Sequence, residues 1–297
     1  MKKQTIAPAC MVAAFIFSIA LFTACTKSDN STPSETSTET ALNASASADN
    51  QADVVYNDVT NNVMGINSQI GVGTGIGVFV ADGNNVEPWA PGWEHCFTVT
   101  IAPETIGVFP KTVTIDFGDG CTGRDGHVRK GKIITVYTGP MYVAGSKATT
   151  TLDGFYFDSL HVEGTHTLTN NSTSEGHVFN AVIQDGKITA PSGNYIVWTR
   201  TRTWTQTDGN NTAYFLLDDV YSITGNSNGT FYYGGNNYQW TGSITQPLIH
   251  KLICPWVVSG QIEIKGENVT SVLDFGDGTC DRKAILTING KIFEIIW

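Results

Sequence analysis

From Cys96 to Trp297 the chain is written in steps of two, with no long helical pattern to interrupt it. In "KTVTIDF", Val113, Ile115 and Phe117 fall on one side of an extended chain and Thr112, Thr114 and Asp116 on the other. That alternation is the mark of a half-buried strand. "AILTINGKIFEII" reads as two such strands joined by Asn289-Gly290, and "VIQDGKIT" offers Asp185-Gly186 as a second hairpin turn. Both central positions of a two-residue turn take positive φ, which Asn, Asp and Gly tolerate. Leu152-Asp153 and Leu217-Asp218 are each followed, eleven positions after the Asp, by Gly-Thr, an echo that fits successive strands of a meander. Parallel strands need crossovers of a dozen or more residues, usually helical, and none is written here. The expected fold is all-β: an antiparallel meander, as a curved sheet or partly closed barrel, with one short N-terminal helix. Two β domains divided near Thr207 to Asn211 are the competing arrangement.

Composition agrees, since 31 glycines, ten tyrosines and only 15% charged residues favour strands and turns over helices. The one helical stretch is "DVVYNDVTNNVMGINS", where Val55, Val59, Val63 and Ile66 recur at four- and three-residue steps before the glycine-rich "GVGTGIG".

The words "DFGDGC" at Asp116 to Cys121 and "DFGDGTC" at Asp274 to Cys280 bracket the middle of the chain. Each copy has its own upstream cysteine, Cys96 and Cys254, so local pairing as Cys96-Cys121 and Cys254-Cys280 closes two loops of similar size. Four cysteines allow three connectivities, and local pairing is preferred here over pairing across the copies. A four-cysteine zinc site would show close-spaced pairs, which the sequence lacks.

The N-terminus explains why disulfides are permitted. Lys2 and Lys3 precede an apolar run from Met11 to Phe22 with Ser18 its single polar member, too short for a membrane span and shaped as a secretory signal. It ends "LFTAC", which resembles the lipobox of bacterial lipoproteins, whose cysteine, here Cys25, carries the lipid. An ordinary signal peptide cut nearby is the alternative. Thr26 to Ala52 holds 11 Ser or Thr among 27 residues and no aromatic, a composition that cannot bury enough apolar surface to fold. The chain thus divides into a signal (1–24), a lipidated cysteine with its tether (25–52), an amphipathic helix (53–70) and one β-rich domain (71–297). An outer-membrane location in the cell envelope is expected, with either face open.

The whole chain carries 27 acidic and 17 basic residues, and loss of Lys2 and Lys3 with the signal moves its formal charge from −10 to −12. A net negative surface argues against sequence-independent nucleic-acid binding, which basic patches carry.

Three features carry candidate chemistry. The acids of the twin motif, Asp116, Asp119 and Asp125, then Asp274, Asp277 and Asp281, do not have the spacing of an EF-hand, so they are read first as turn residues with Phe117 and Phe275 packed inward. "DFGDG" also resembles, over five residues, the signature turn of PKD-type surface repeats. In "IVWTRTRTWTQ", Trp198, Arg200, Arg202 and Trp204 share one side of a strand, and could stack on sugars or grip a small anion. The bland alternative is a solvated face with arginines laid over the rings. Trp89 and Trp93 are read as sealing a loop. Histidines show no HExxH spacing, and no G-x-S-x-G elbow occurs. No cofactor is implied.

"DFGDGCTGRDGHVRKGKI", "RTRTWTQ", "CPWVVSGQIEI" and "DFGDGTCDRKAILTING" together resemble a group of Bacteroidota lipoproteins with twin DFGDG/Cys motifs. The resemblance runs from Asp53 onward, implies an envelope location and one shared architecture, and brings no activity with it. The expected function is a non-enzymatic envelope lipoprotein, anchored to the membrane through its lipid, whose β body binds an envelope protein or supports an assembly. Binding of carbohydrate or a small anion through the Trp198 to Trp204 face is second, and a hydrolase third.

Overall fold

The computed structural model describes residues 52, 55–56, 58–63 and 96–296, apart from 106, 124–125, 175, 211–217, 255 and 267–269. The signal segment, Cys25, the tether before Ala52, Ile66, Trp89, Trp93 and Asp125 lie outside them.

Among the described residues fourteen strands form one antiparallel sheet. In chain order they are β1 (Thr98–Ala102), β2 (Lys111–Asp116), β3 (Cys121–Thr122), β4 (Val128–Tyr137), β5 (Lys147–Phe157), β6 (Leu160–Asn170) and β7 (Val178–Thr189). Then come β8 (Tyr195–Asp208), β9 (Val220–Tyr233), β10 (Asn236–Lys251), β11 (Val257–Lys265), β12 (Thr270–Asp277), β13 (Lys283–Ile288) and β14 (Lys291–Ile296). Each pairs with the next, save that β2 pairs with β4 and the two-residue β3 adds to the side of β4. The result is the expected meander, an open sheet with β1 and β14 at its edges. β8 and β9, on either side of the alternative domain cut, are paired along most of their length.

Alternation decides which face is the core. In β2 Val113 and Ile115 are buried, and in β11 Val258, Ile262 and Ile264 are, while their neighbours are half-exposed. On this buried face sits a helix, α1, described at residues 52, 55–56 and 58–63. Val55, Val59 and Val63 form the predicted apolar stripe, but Asp58 and Asn62 are buried as well, so α1 is not simply half in water. Its polar groups are spent on the sheet. Tyr56 Oη donates to Glu163 O at 2.9 Å, Tyr137 Oη to Val63 O at 2.7 Å, and Asp58 takes the guanidinium of Arg129.

The hairpin at Asn289-Gly290 forms as predicted, with φ of 50° and 78° and Ile288 opposite Lys291. The second turn does not. β7 runs straight through Asp185-Gly186, and the pair makes a bulge at which the register slips on both neighbouring strands. Here Asp185 alone takes positive φ, at 51°, while Gly186 lies against Trp198, where an added Cβ would meet the indole at 3.0 Å. The echo between Asp153 and Asp218 is not structural either: Asp153 and Gly164 lie on successive strands, whereas Asp218 just precedes β9, which itself contains Gly229.

Candidate functional site

Trp198, Arg200, Arg202 and Trp204 do share one face of β8, but it is the buried one, with side chains 2, 4, 5 and 9% exposed. This corrects the expectation of a ligand platform, and equally that of a solvated stripe. Of the two rows on β8, the threonines lose little by facing water, while two indoles gain most by leaving it. Trp198 meets the Tyr56 ring of α1 edge-on at 5.4 Å, and Trp204 meets His250 at 5.5 Å. The histidines on this face are correspondingly perturbed. Burial, and then the charge of Arg200, pushes His166 down to about 4, and burial alone does the same to His250. His161 is half-exposed and His166 buried, so the two do not act together.

Asp218 and Asp219 likewise part company, one exposed and one buried. Burial, then the neighbouring Asp218 charge, raises the Asp219 carboxyl to about 6, against a hydrogen bond from Gln206 Nε2 at 2.8 Å.

The twin motifs stay apart and stay local. β2 and β12, which lead into them, have eight strands between them in the sheet. Asp116 Oδ1 accepts from Gly118 N at 2.9 Å and Asp274 Oδ1 from Gly276 N at 2.8 Å, the same turn twice. Asp116 also pairs with Lys132 at 2.9 Å, which holds its carboxyl below the usual range. The Asp277 carboxyl is lowered by hydrogen bonds from Thr279, and Asp119 is simply exposed. Phe117 and Phe275 are buried beneath. Cys121 is bonded to Cys96 and Cys280 to Cys254. Among the described residues no three His, Cys, Asp or Glu side chains gather where a metal could sit.

The feature that sequence reasoning missed lies on the opposite side of β8. A trough of about 840 Å³ crosses β8, β9 and β10 on the face away from α1, its rim marked by Asp185 and Lys265. Register builds it in rows. Thr199 faces Asn228, which faces Thr241, and Val197 faces Thr230, which faces Gln239. Trp198, Gly229 and Trp240 form the floor between the rows, with both indoles turned to the core. Gly229 is required there, since a Cβ would come within 2.6 Å of Val197 O and 2.7 Å of Trp198 Cβ. Tyr232 closes one end, stacked on Tyr195 at 4.3 Å. The signal was the run of threonines at alternate positions in "TRTRTWTQT", which marks a polar outer row but not its neighbours.

Compared with known protein families, curated proteins and solved structures, the chain matches none.

Proposed function

We propose that this chain is a cell-envelope lipoprotein, tethered to the membrane through Cys25, whose β body is a non-catalytic binding module with the trough over β8 to β10 as its contact surface. One observation carries this. Thr199, Asn228, Thr230, Gln239 and Thr241 present donors and acceptors on three rigid central strands, and among the described residues none of these side chains is engaged by another group. Side chains held by a strand scaffold lose little freedom on binding. The ionisable groups on the buried face support a structural role for that face, since His166 and His250 are neutral near pH 7.

The test is retention of envelope components by the immobilised full chain, compared with an Asn228→Lys, Thr241→Lys variant of unchanged circular dichroism. Loss of retention is expected. Retention at the wild-type level would remove the trough as the contact surface. Incorporation of a labelled fatty acid, abolished by Cys25→Ser, tests the anchor separately.

A further inference from the structure

Resting on the trough as the contact surface, we infer that its ligand is a neutral glycan chain, lying across β8 to β10 with a sugar ring against Tyr232.

The chemistry of the lining selects this class. A sugar hydroxyl both donates and accepts, and so do the Thr hydroxyls and, through their two ends, the Asn and Gln amides. Neighbouring strands lie about 4.8 Å apart and same-face residues along a strand about 6.7 Å, so the rows form a grid whose step is comparable with the width of a pyranose ring. Thr199, Asn228 and Thr241 supply one line of that grid, and Thr230 with Gln239 the next. The trough, about 840 Å³ and open to solvent, has room for several rings laid along it.

Charge selects neutrality. In a chain of formal charge −10, the trough's outward positions on β8, β9 and β10 hold no ionisable group other than the Tyr232 phenol. At the rim Asp185 and Lys265 are of opposite sign, and Lys265 is already paired with Glu263 Oε1 at 2.7 Å. Neither an acidic polysaccharide nor a polycation finds a field to draw it in.

A protein partner fits less well. Protein interfaces place aromatic, Met and Arg anchors at a desolvated centre, whereas the centre of this trough is Asn228, Thr230 and Gln239. Its single aromatic side chain at the surface, Tyr232, sits at one end. There its ring is fixed by Tyr195, which Lys187 covers in turn at 5.3 Å. A ring fixed at the end of a hydrogen-bonding row is placed to take the apolar C–H face of a sugar while the hydroxyls around that sugar meet the row.

The experiment prints neutral hexose oligosaccharides, uronic-acid oligosaccharides and sulfated oligosaccharides on one surface and probes them with the full-length lipoprotein in detergent. The strongest neutral oligosaccharide is then titrated against wild type, Asn228→Ala with Gln239→Ala, Tyr232→Ala, and Thr205→Ala, the last on the same outer face but outside the trough. Expected are selective binding of neutral oligosaccharides, at least tenfold weaker binding in the first two variants, and no change for Thr205→Ala. Binding to the acidic oligosaccharides alone, or neutral binding that the trough variants leave intact, overturns the inference. If no oligosaccharide binds while Asn228→Lys, Thr241→Lys still abolishes retention of envelope components, the ligand class is wrong and the trough stands as a protein-binding surface. If that retention is also unaffected, both fall.

Discussion

Arg129 on β4 lays its guanidinium fork on the carboxylate of Asp58 in α1, with Nε to Oδ2 at 2.9 Å and Nη2 on Oδ1, although 71 positions separate them in the chain. Arg129 is wholly buried and Asp58 is 9% exposed. Asn62 Nδ2 also donates to Asp58, and the guanidinium lies over the Phe157 ring at 5.2 Å. The pair therefore fixes where α1 sits on the sheet. Removing one partner leaves a buried charge, and Asp58→Ala should lower stability by about 3 to 5 kcal/mol. The double replacement Asp58→Leu, Arg129→Met should recover most of that loss in urea unfolding of the full chain. A double variant no more stable than Asp58→Ala would show that the pair is worth more than its desolvation.

Acid should weaken the fold through its buried histidines. His166 and His250 titrate near 4 when folded, against about 6.5 unfolded. Between those values the unfolded chain binds more protons, so stability falls as pH drops through the window. Asp219 has the opposite sign: raised to about 6, it binds more protons when folded and gains stability over part of the same fall. Two histidines outweigh one carboxyl. From pH 7 to pH 5 each histidine should cost about 2 kcal/mol. His250→Phe, which keeps the ring against Trp204, should remove its share of the slope in urea midpoints measured at both pH values.

The parts of this structure that were legible in the sequence are those set by one segment at a time. Val113, Ile115 and Phe117 alternate in "KTVTIDF" and are all buried, and Asn289-Gly290 turns a hairpin. What was hidden depends on neighbours. Asp185-Gly186 has the residues of a turn, yet β6 and β8 pair on through it and make it a bulge. The two rows of β8 were plain, but a row mixing tryptophan with arginine does not say which way it points until α1 and the adjoining strands cover it. The valine stripe of α1 gives no sign that Asp58 and Asn62 are buried too, because Asp58 finds its partner Arg129 on β4, 71 positions away, and Asn62 in turn bonds Asp58. The trough needed the register of three strands at once, which no single stretch encodes.

Gly225 should be the most demanding glycine among the long central strands. It stands opposite Arg202 in β9 with φ of 145°, and a Cβ there would lie 2.0 Å from Thr201 O and 3.0 Å from Arg202 Cα. Both contacts are backbone, so no side chain can swing aside. Gly225→Ala should cost about 2 kcal/mol or more, since both the backbone conformation and the space oppose it. Gly234→Ala, in the β9 to β10 turn, has positive φ but meets nothing within 4 Å, and should cost less. Thermal midpoints of the two variants in the opposite order would refute the close approach at Thr201.

The two disulfides should act as independent clasps. Cys96-Cys121 ties the start of β1 to β3, and Cys254-Cys280 ties the β10 to β11 connection to the segment between β12 and β13. The loops they close, 25 and 26 residues in separation, are nearly equal, so chain entropy assigns each about 3 to 4 kcal/mol. β2 and β12, beside the two clasps, have eight strands between them in the sheet, and distant sites add. Cys96→Ala with Cys121→Ala, and Cys254→Ala with Cys280→Ala, should therefore lose similar stability, and the fourfold variant about the sum. Peptide mapping without reduction should recover Cys96 joined to Cys121 and Cys254 to Cys280. A fourfold loss well short of the sum would mean that one clasp already holds what the other does, and that the meander transmits order between its ends.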